Sequence, residues 1–157
     1  MDAHLYGARI DGSMQLQDSK NMGLITLYAK VSATRGERDD SNDALYQIQP
    51  LHSEVKLIQQ VGNWQHAISW QWVDSKQRVD ERRLENQTES YHLINLQSSV
   101  TWQQLNITLA ISNLFDTQYD LPLGGVNIAE FKANTTQGYS QLRGQGRSLS
   151  LMLNYQF

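Results

Sequence analysis

The stretch Arg147-Ser-Leu-Ser-Leu-Met-Leu-Asn-Tyr-Gln-Phe157 decides how this chain is read. Side chains of an extended strand alternate between two faces. Leu149, Leu151, Leu153, Tyr155 and Phe157 therefore share one side with Arg147, while Ser148, Ser150, Met152, Asn154 and Gln156 share the other. A helix would scatter the three leucines around its circumference, so the segment reads as a strand with one apolar face. At about 3.3 Å per residue and a tilt of about 40°, such a strand crosses an apolar layer roughly 25 Å thick.

The same alternation recurs along the chain. Working back from the C-terminus, expected strands are Leu105 to Ser112, Tyr91 to Trp102, Trp64 to Trp72, Leu51 to Val61, Gly23 to Thr34 and His4 to Leu16. Short polar turns, Gln17 to Asn21, Gly62-Asn63 and Gln103-Gln104, follow the first, third and fifth strands. Long connections, Arg35 to Gln49, Asp74 to Ser90 and Asp116 to Gly146, follow the second, fourth and sixth. The fold class is all-β, an antiparallel up-and-down meander of about seven strands. Tight turns at one rim and long loops at the other are the plan of a transmembrane β-barrel, here a partial one.

Aromatic residues fall where two membrane interfaces would select them. Trp64, Trp102, Tyr155 and Phe157 gather at the short-turn rim, and Trp72, Tyr91, Phe115 and Tyr119 at the long-loop rim. The rival reading is a soluble β-barrel or sandwich with these faces turned inward around a small apolar ligand. The two differ in whether Leu151 and Trp70 look out or meet in a sealed core.

Composition narrows the function. The 157 residues are 39% apolar and have no window resembling a membrane helix, which leaves a barrel open. Net charge is −3 with no basic block, so nucleic acid is not an expected partner. The chain has no cysteine and only two prolines, Pro50 and Pro122, in keeping with mostly hydrogen-bonded strand. Met1-Asp-Ala-His-Leu-Tyr6 has neither the charged start nor the apolar run of an export signal.

Ile111-Ser-Asn-Leu-Phe-Asp-Thr-Gln-Tyr119, a long loop and the aromatic-ended strand together resemble the C-terminal end of TonB-dependent outer-membrane receptors. Asn113, Leu114, Phe115, Asp116 and Tyr119 carry the motif, and Tyr91-His-Leu-Ile-Asn-Leu96 resembles the family's strand two before the end. The resemblance implies a barrel of about 22 strands around an N-terminal plug, driven by TonB. It implies localisation in the outer membrane of a Gram-negative bacterium, and uptake of a siderophore, metal complex or similar nutrient. The expectation is that Met1 to Phe157 is the last third of such a receptor, without plug or TonB box. Contact with TonB would run only through that N-terminal part. Leu149, Leu151, Leu153, Tyr155 and Phe157 would form the signal read by the barrel-assembly machinery. Leu121-Pro-Leu-Gly-Gly125 is similar to the copper-associated branch, and equally fits a plain Pro- and Gly-rich turn.

Other residues point less far. His4, His52, His66 and His92 lack metal-ligand spacing, and no metal or cofactor is expected. Met14, Met22 and Met152 have the soft sulfur that Cu(I) favours, Met152 on the polar face. Asp39, Asp40 and Asp43 lack the glycine and closing glutamate of a calcium loop. Lys76, Arg82 and Arg83 could meet lipopolysaccharide phosphates, or simply form a solvated loop. No nucleophile–base arrangement or paired carboxylates stand out, so catalysis is not expected.

Overall fold

The structure, a computed structural model, describes residues 3–39, 44–83, 85–133 and 140–156. Seven strands form one antiparallel sheet in chain order: β1 (Ala3–Ser19), β2 (Gly23–Arg38), β3 (His52–Val61), β4 (Trp64–Val73), β5 (Tyr91–Trp102), β6 (Leu105–Ser112) and β7 (Ser148–Tyr155). A single 3₁₀ turn, Glu81–Arg83, and a short helix α1, Ile128–Ala133, lie in the long connections. The sheet is open, a stretch of barrel wall with β1 and β7 at its edges.

Register converts the alternation of each strand into two faces of one sheet. Met14, Leu27, Leu57, Ile68, Leu96, Ile111 and Leu149 pair in succession from β1 to β7, a wholly apolar row. One residue on, Ser13, Tyr28, Lys56, Ser69 and Asn95 form a row on the opposite face. Asp11, Lys30 and Glu54 follow on that face, opposite charges directly across from one another, an arrangement that favours pairing. A register break between Gln15 and Gln17 adds a bulge in β1 without exchanging the faces above it.

The apolar face stands uncovered. Ile10 is 78% exposed, Leu149 70%, Leu151 64% and Trp70 41%. Leu151 and Trp70 thus lie on one open surface and do not meet in a sealed interior. A contiguous apolar surface spanning seven strands exceeds what a soluble monomer ordinarily leaves wet, so it requires an apolar neighbour.

The strand ends are staggered. Val61, Trp64 and Val100 share a row, yet the β5–β6 turn falls after Trp102, two residues further on than the β3–β4 turn. At the other rim β2 runs on to Arg38, although its last pairing with β3 is Ser32 with His52. Tilted strands of a barrel are staggered in this way. The extension corrects the reading of Arg35 to Arg38 as loop, and β1 likewise takes in Gln17 to Ser19, read as turn. At the far end β7 begins at Ser148, after Arg147, and Phe157 lies outside the described residues. Gly62 and Gln103 open their two-residue turns with φ near 55°, easy for glycine and strained for glutamine.

With lipid as the neighbour of the apolar face, Leu151→Arg should destabilise the protein by about 2–4 kcal/mol, whereas Ser150→Arg, on the opposite face, should cost under about 1 kcal/mol. Urea titration in phospholipid vesicles measures both. Equal costs would mean that the two faces do not differ in their surroundings.

Candidate functional site

Burial in this molecule is concentrated where the long connections meet. Lys76 is 3% exposed and Asp80 2%, lower than any apolar residue of the sheet. Lys76 Nζ donates to Glu85 Oε1 at 2.6 Å and to the Pro122 carbonyl at 3.0 Å. The Glu85 carboxylate also accepts the amides of Gln47 (2.9 Å) and Asp80 (2.9 Å). Segments from all three long connections therefore converge on one ion pair. A buried charge is tolerated only when its partner and its remaining hydrogen bonds are supplied, as they are here. Asp80 is satisfied by Arg38 Nη2 at 3.1 Å and by the Arg82 amide at 3.1 Å, with Arg83 Nε at 3.9 Å. Arg83 also lies 5.1 Å from the centre of the Tyr46 ring.

The 74–90 connection is thus not the solvated loop that its charge suggested. Lys76 is enclosed and committed to Glu85, so it has no reach toward lipid phosphate. Arg82 and Arg83 stay exposed, as do Arg35 and Arg78, which donate to the same Glu37 oxygen at 3.0 and 2.8 Å. Glu37 lies five residues beyond the last β2–β3 pair, roughly 16 Å along the strand and clear of the apolar belt. The Arg78 hydrogen bond, with the charges of both arginines, holds its carboxyl below the usual range.

The Asn-Leu-Phe-Asp stretch closes the β6–β7 connection at its base. Asn113 and Asp116 take positive φ of 51° and 56°, which Asn and Asp tolerate better than other side chains. Asn113 is buried; its carboxamide donates to the carbonyls of Thr117 (2.9 Å) and Gln145 (3.1 Å) and accepts the Thr117 amide (2.9 Å). Its own amide donates to Asn95 Oδ1 at 2.9 Å, and the Leu114 amide to the Ile94 carbonyl at 2.8 Å. The Asp116 carboxylate accepts the Arg147 amide at 2.7 Å. The start of the connection is thereby tied to β5, and its far end to Asn113 and Asp116. The Tyr119 ring occupies the space that a side chain at Gly144 would need, and the Gly144 amide donates to the Tyr119 carbonyl at 2.8 Å. Phe115, by contrast, is exposed.

Tyr91 requires correction. Register pairs it with Val73, on the polar face, and its ring packs 4.3 Å from that of Tyr119. It is a loop anchor, not part of an outward aromatic band. Trp72 does lie on the apolar face, paired with Ser53 and His92. Trp64, Trp102 and Tyr155 are exposed near the short-turn rim, with Trp64 stacked on His66 at 5.7 Å.

Other candidates are dispersed. His66 bonds Ser98 Oγ at 3.0 Å, His4 lies 3.1 Å from Asp39, and His52 Nδ1 is 3.5 Å from Gln49. Asp40 and Asp43 lie outside the described residues. Met14 is on the apolar face of edge strand β1, Met152 on the polar face of the opposite edge and Met22 in the first turn, so the three sulfurs do not converge. Among the described residues no group of three His, Asp or Glu could hold a metal ion.

No family model matches the chain, and no curated protein matches it. Among solved structures it is similar to one titled copper transporter OprC, with TM-score 0.85 and 20% identity. This is a likeness of fold. It covers 99% of this chain and 24% of that one, so the chain spans 24% of that protein's length.

Lys76→Met should lower the opening free energy of the clustered loops by about 3–5 kcal/mol, and Lys76→Met with Glu85→Met should recover most of it. Hydrogen exchange at the Thr88 and Leu121 amides, which donate to the carbonyls of Lys76 and Leu142 and not to Glu85, reads both. If the double variant opens as readily as the single one, an unpaired buried charge is not the cause. Asn113→Ala should free the 116–146 connection for protease cleavage, at a cost of about 2–3 kcal/mol. Asn113→Gly, which keeps the positive φ, should be cleaved almost as fast; wild-type resistance there would mean that backbone conformation alone closes the loop.

Proposed function

We propose that this chain is the C-terminal wall and loop segment of an outer-membrane transporter for a siderophore, metal complex or similar scarce nutrient. The observation that carries the reading is the apolar face continuous from Met14 to Leu149, backed by a polar, charged face on the same strands. A wall between hydrocarbon and an aqueous lumen has this division. The loop cluster around Lys76 and Glu85 would stand at the external mouth as part of the vestibule, since recognition commonly sits on loops held by a rigid scaffold.

The Asn113–Tyr119 motif and the likeness to a copper transporter favour a TonB-dependent receptor as the whole, with copper the first substrate to try. The plug and the contact with TonB would belong to a part of the receptor other than this segment. The C-terminal strand would be the portion read by the barrel-assembly machinery, and the apolar face would meet outer-membrane lipid and lipopolysaccharide. The segment would contribute no catalytic step.

Deleting the gene should lower accumulation of copper or of a ferric siderophore in metal-starved Gram-negative cells. A Ser150→Arg copy should restore it and a Leu151→Arg copy should not. Unchanged accumulation of both would overturn the assignment.

A further inference from the structure

At the outer end of the apolar face, β1 and β2 run on past β3, and their side chains change character in an ordered way. Tyr6 pairs with Arg35, Ala8 with Ala33 and Ile10 with Val31, all on the apolar face. Tyr6 is 57% exposed and the Arg35 side chain 56%. The two alanines leave a gap between a polar-aromatic row and an aliphatic one. Pro50 and Leu51 close the gap from the β3 side and Arg78 from above, giving an open groove of about 630 Å³.

The charges at its upper end are unbalanced. Arg35 and Arg78 share a single carboxylate, Glu37, and make no other hydrogen bond or ion pair among the described residues. Arg35 uses Nε and Arg78 one Nη, so the remaining N–H groups of both forks have donors to spare. The nearby His4–Asp39 pair does not touch these guanidiniums, and the Asp74 carboxylate in the wall accepts the Ser75 amide.

We propose that this groove seats the phosphorylated headgroup of an outer-leaflet glycolipid, its phosphate on Arg35 and Arg78 and its acyl chain over Ala8, Ala33, Ile10 and Val31. Two guanidinium forks suit phosphate oxygens, which accept bidentate hydrogen bonds. An amphiphile needs cations, an amphipathic ring and then an apolar track, in that order toward the membrane centre; Arg35, Tyr6 and the alanine–isoleucine face supply it. A free phosphate ion would gain nothing from the track, and a neutral lipid nothing from the arginines. The inference rests on the membrane-wall reading above.

The test is native mass spectrometry of the protein extracted from its membrane, with added diphosphoryl lipid A, dephosphorylated lipid A or inorganic phosphate. Wild type should retain the diphosphoryl lipid in preference to the other two. Arg35→Gln and Arg78→Gln should each weaken retention roughly tenfold, with Arg→Lys recovering only part. Retention unchanged in the double Gln variant, equal retention of the dephosphorylated lipid, or equal binding of inorganic phosphate would each overturn the proposal. Resistance of the protein to carbonate extraction is measured in parallel. An inserted protein that fails to retain the lipid refutes this site alone, whereas one that carbonate removes refutes the membrane wall and the site with it.

Discussion

The structure depends on strand register. Each strand has one apolar edge of its alternation, but an apolar surface exists only because Met14, Leu27, Leu57, Ile68, Leu96, Ile111 and Leu149 line up across six pairings. A slip of one residue in any pairing would carry everything beyond it to the other face. A slip between β2 and β3 would set Lys56 against Leu27, and the charges of Lys56 and Glu54 would enter the apolar belt. The tight turns at Gly62 and Gln103 set two of those registers locally, with a positive φ at the first turn position in each. The β6–β7 pairing has no tight turn to set it. There Asn113 and Asp116 do the equivalent, drawing Gln145 and Arg147 back to the end of β6 so that Ser148 meets Ser112.

Because the sheet is open, it encloses no dry core, and this changes where burial is found. Ala44, Val73 and Leu93 are buried and apolar, whereas of the buried polar residues among those described only Ser69 and Ser99 lie on strands, and Lys76, Asp80, Thr88, Asn113 and Gln141 all lie in the connections. Long loops full of charge cannot collapse by hydrophobic burial alone. They close here by pairing the charges and spending backbone amides and carbonyls on them, as around Glu85. Such a cluster gains in specificity of arrangement what it lacks in net stabilisation, since desolvation offsets much of the attraction between the ions.

The sequence made the strands legible because period-two alternation is local: Trp64 to Trp72 and Leu149 to Tyr155 declare their faces without reference to neighbours. Trp64, Trp102 and Tyr155 could likewise be placed near one rim by counting from short turns. What could not be read depended on partners distant in sequence. Tyr91 opens its strand and looks like an interface aromatic; only register with Val73 puts it on the polar face, against a tyrosine 28 residues away. Lys76 and Glu85 resemble any solvated pair until Pro122 and Gln47 arrive from other loops. The Asn-Leu-Phe-Asp motif was visible as a pattern, but its work, tying the two ends of a long loop together, lay in the contacts with Gln145 and Arg147.

Alternation also explains how a single short stretch serves two environments. From Ala33 to Arg38, β2 has lost β3 as a neighbour, yet its side chains still point by turns to opposite sides. On one side Gly36 leaves room for Leu45 and Ile48, and Arg38 reaches the buried Asp80, so this side belongs to the loop cluster. On the other, Ala33, Arg35 and Glu37 continue the apolar face upward into a charged margin. Two arginines three residues apart therefore have different fates: Arg38 is 12% exposed at its side chain and neutralised, Arg35 is 56% exposed and shares its carboxylate with Arg78. The division between the apolar face and the loop cluster is thus kept beyond the last sheet hydrogen bond to β3, carried by the period of the strand itself.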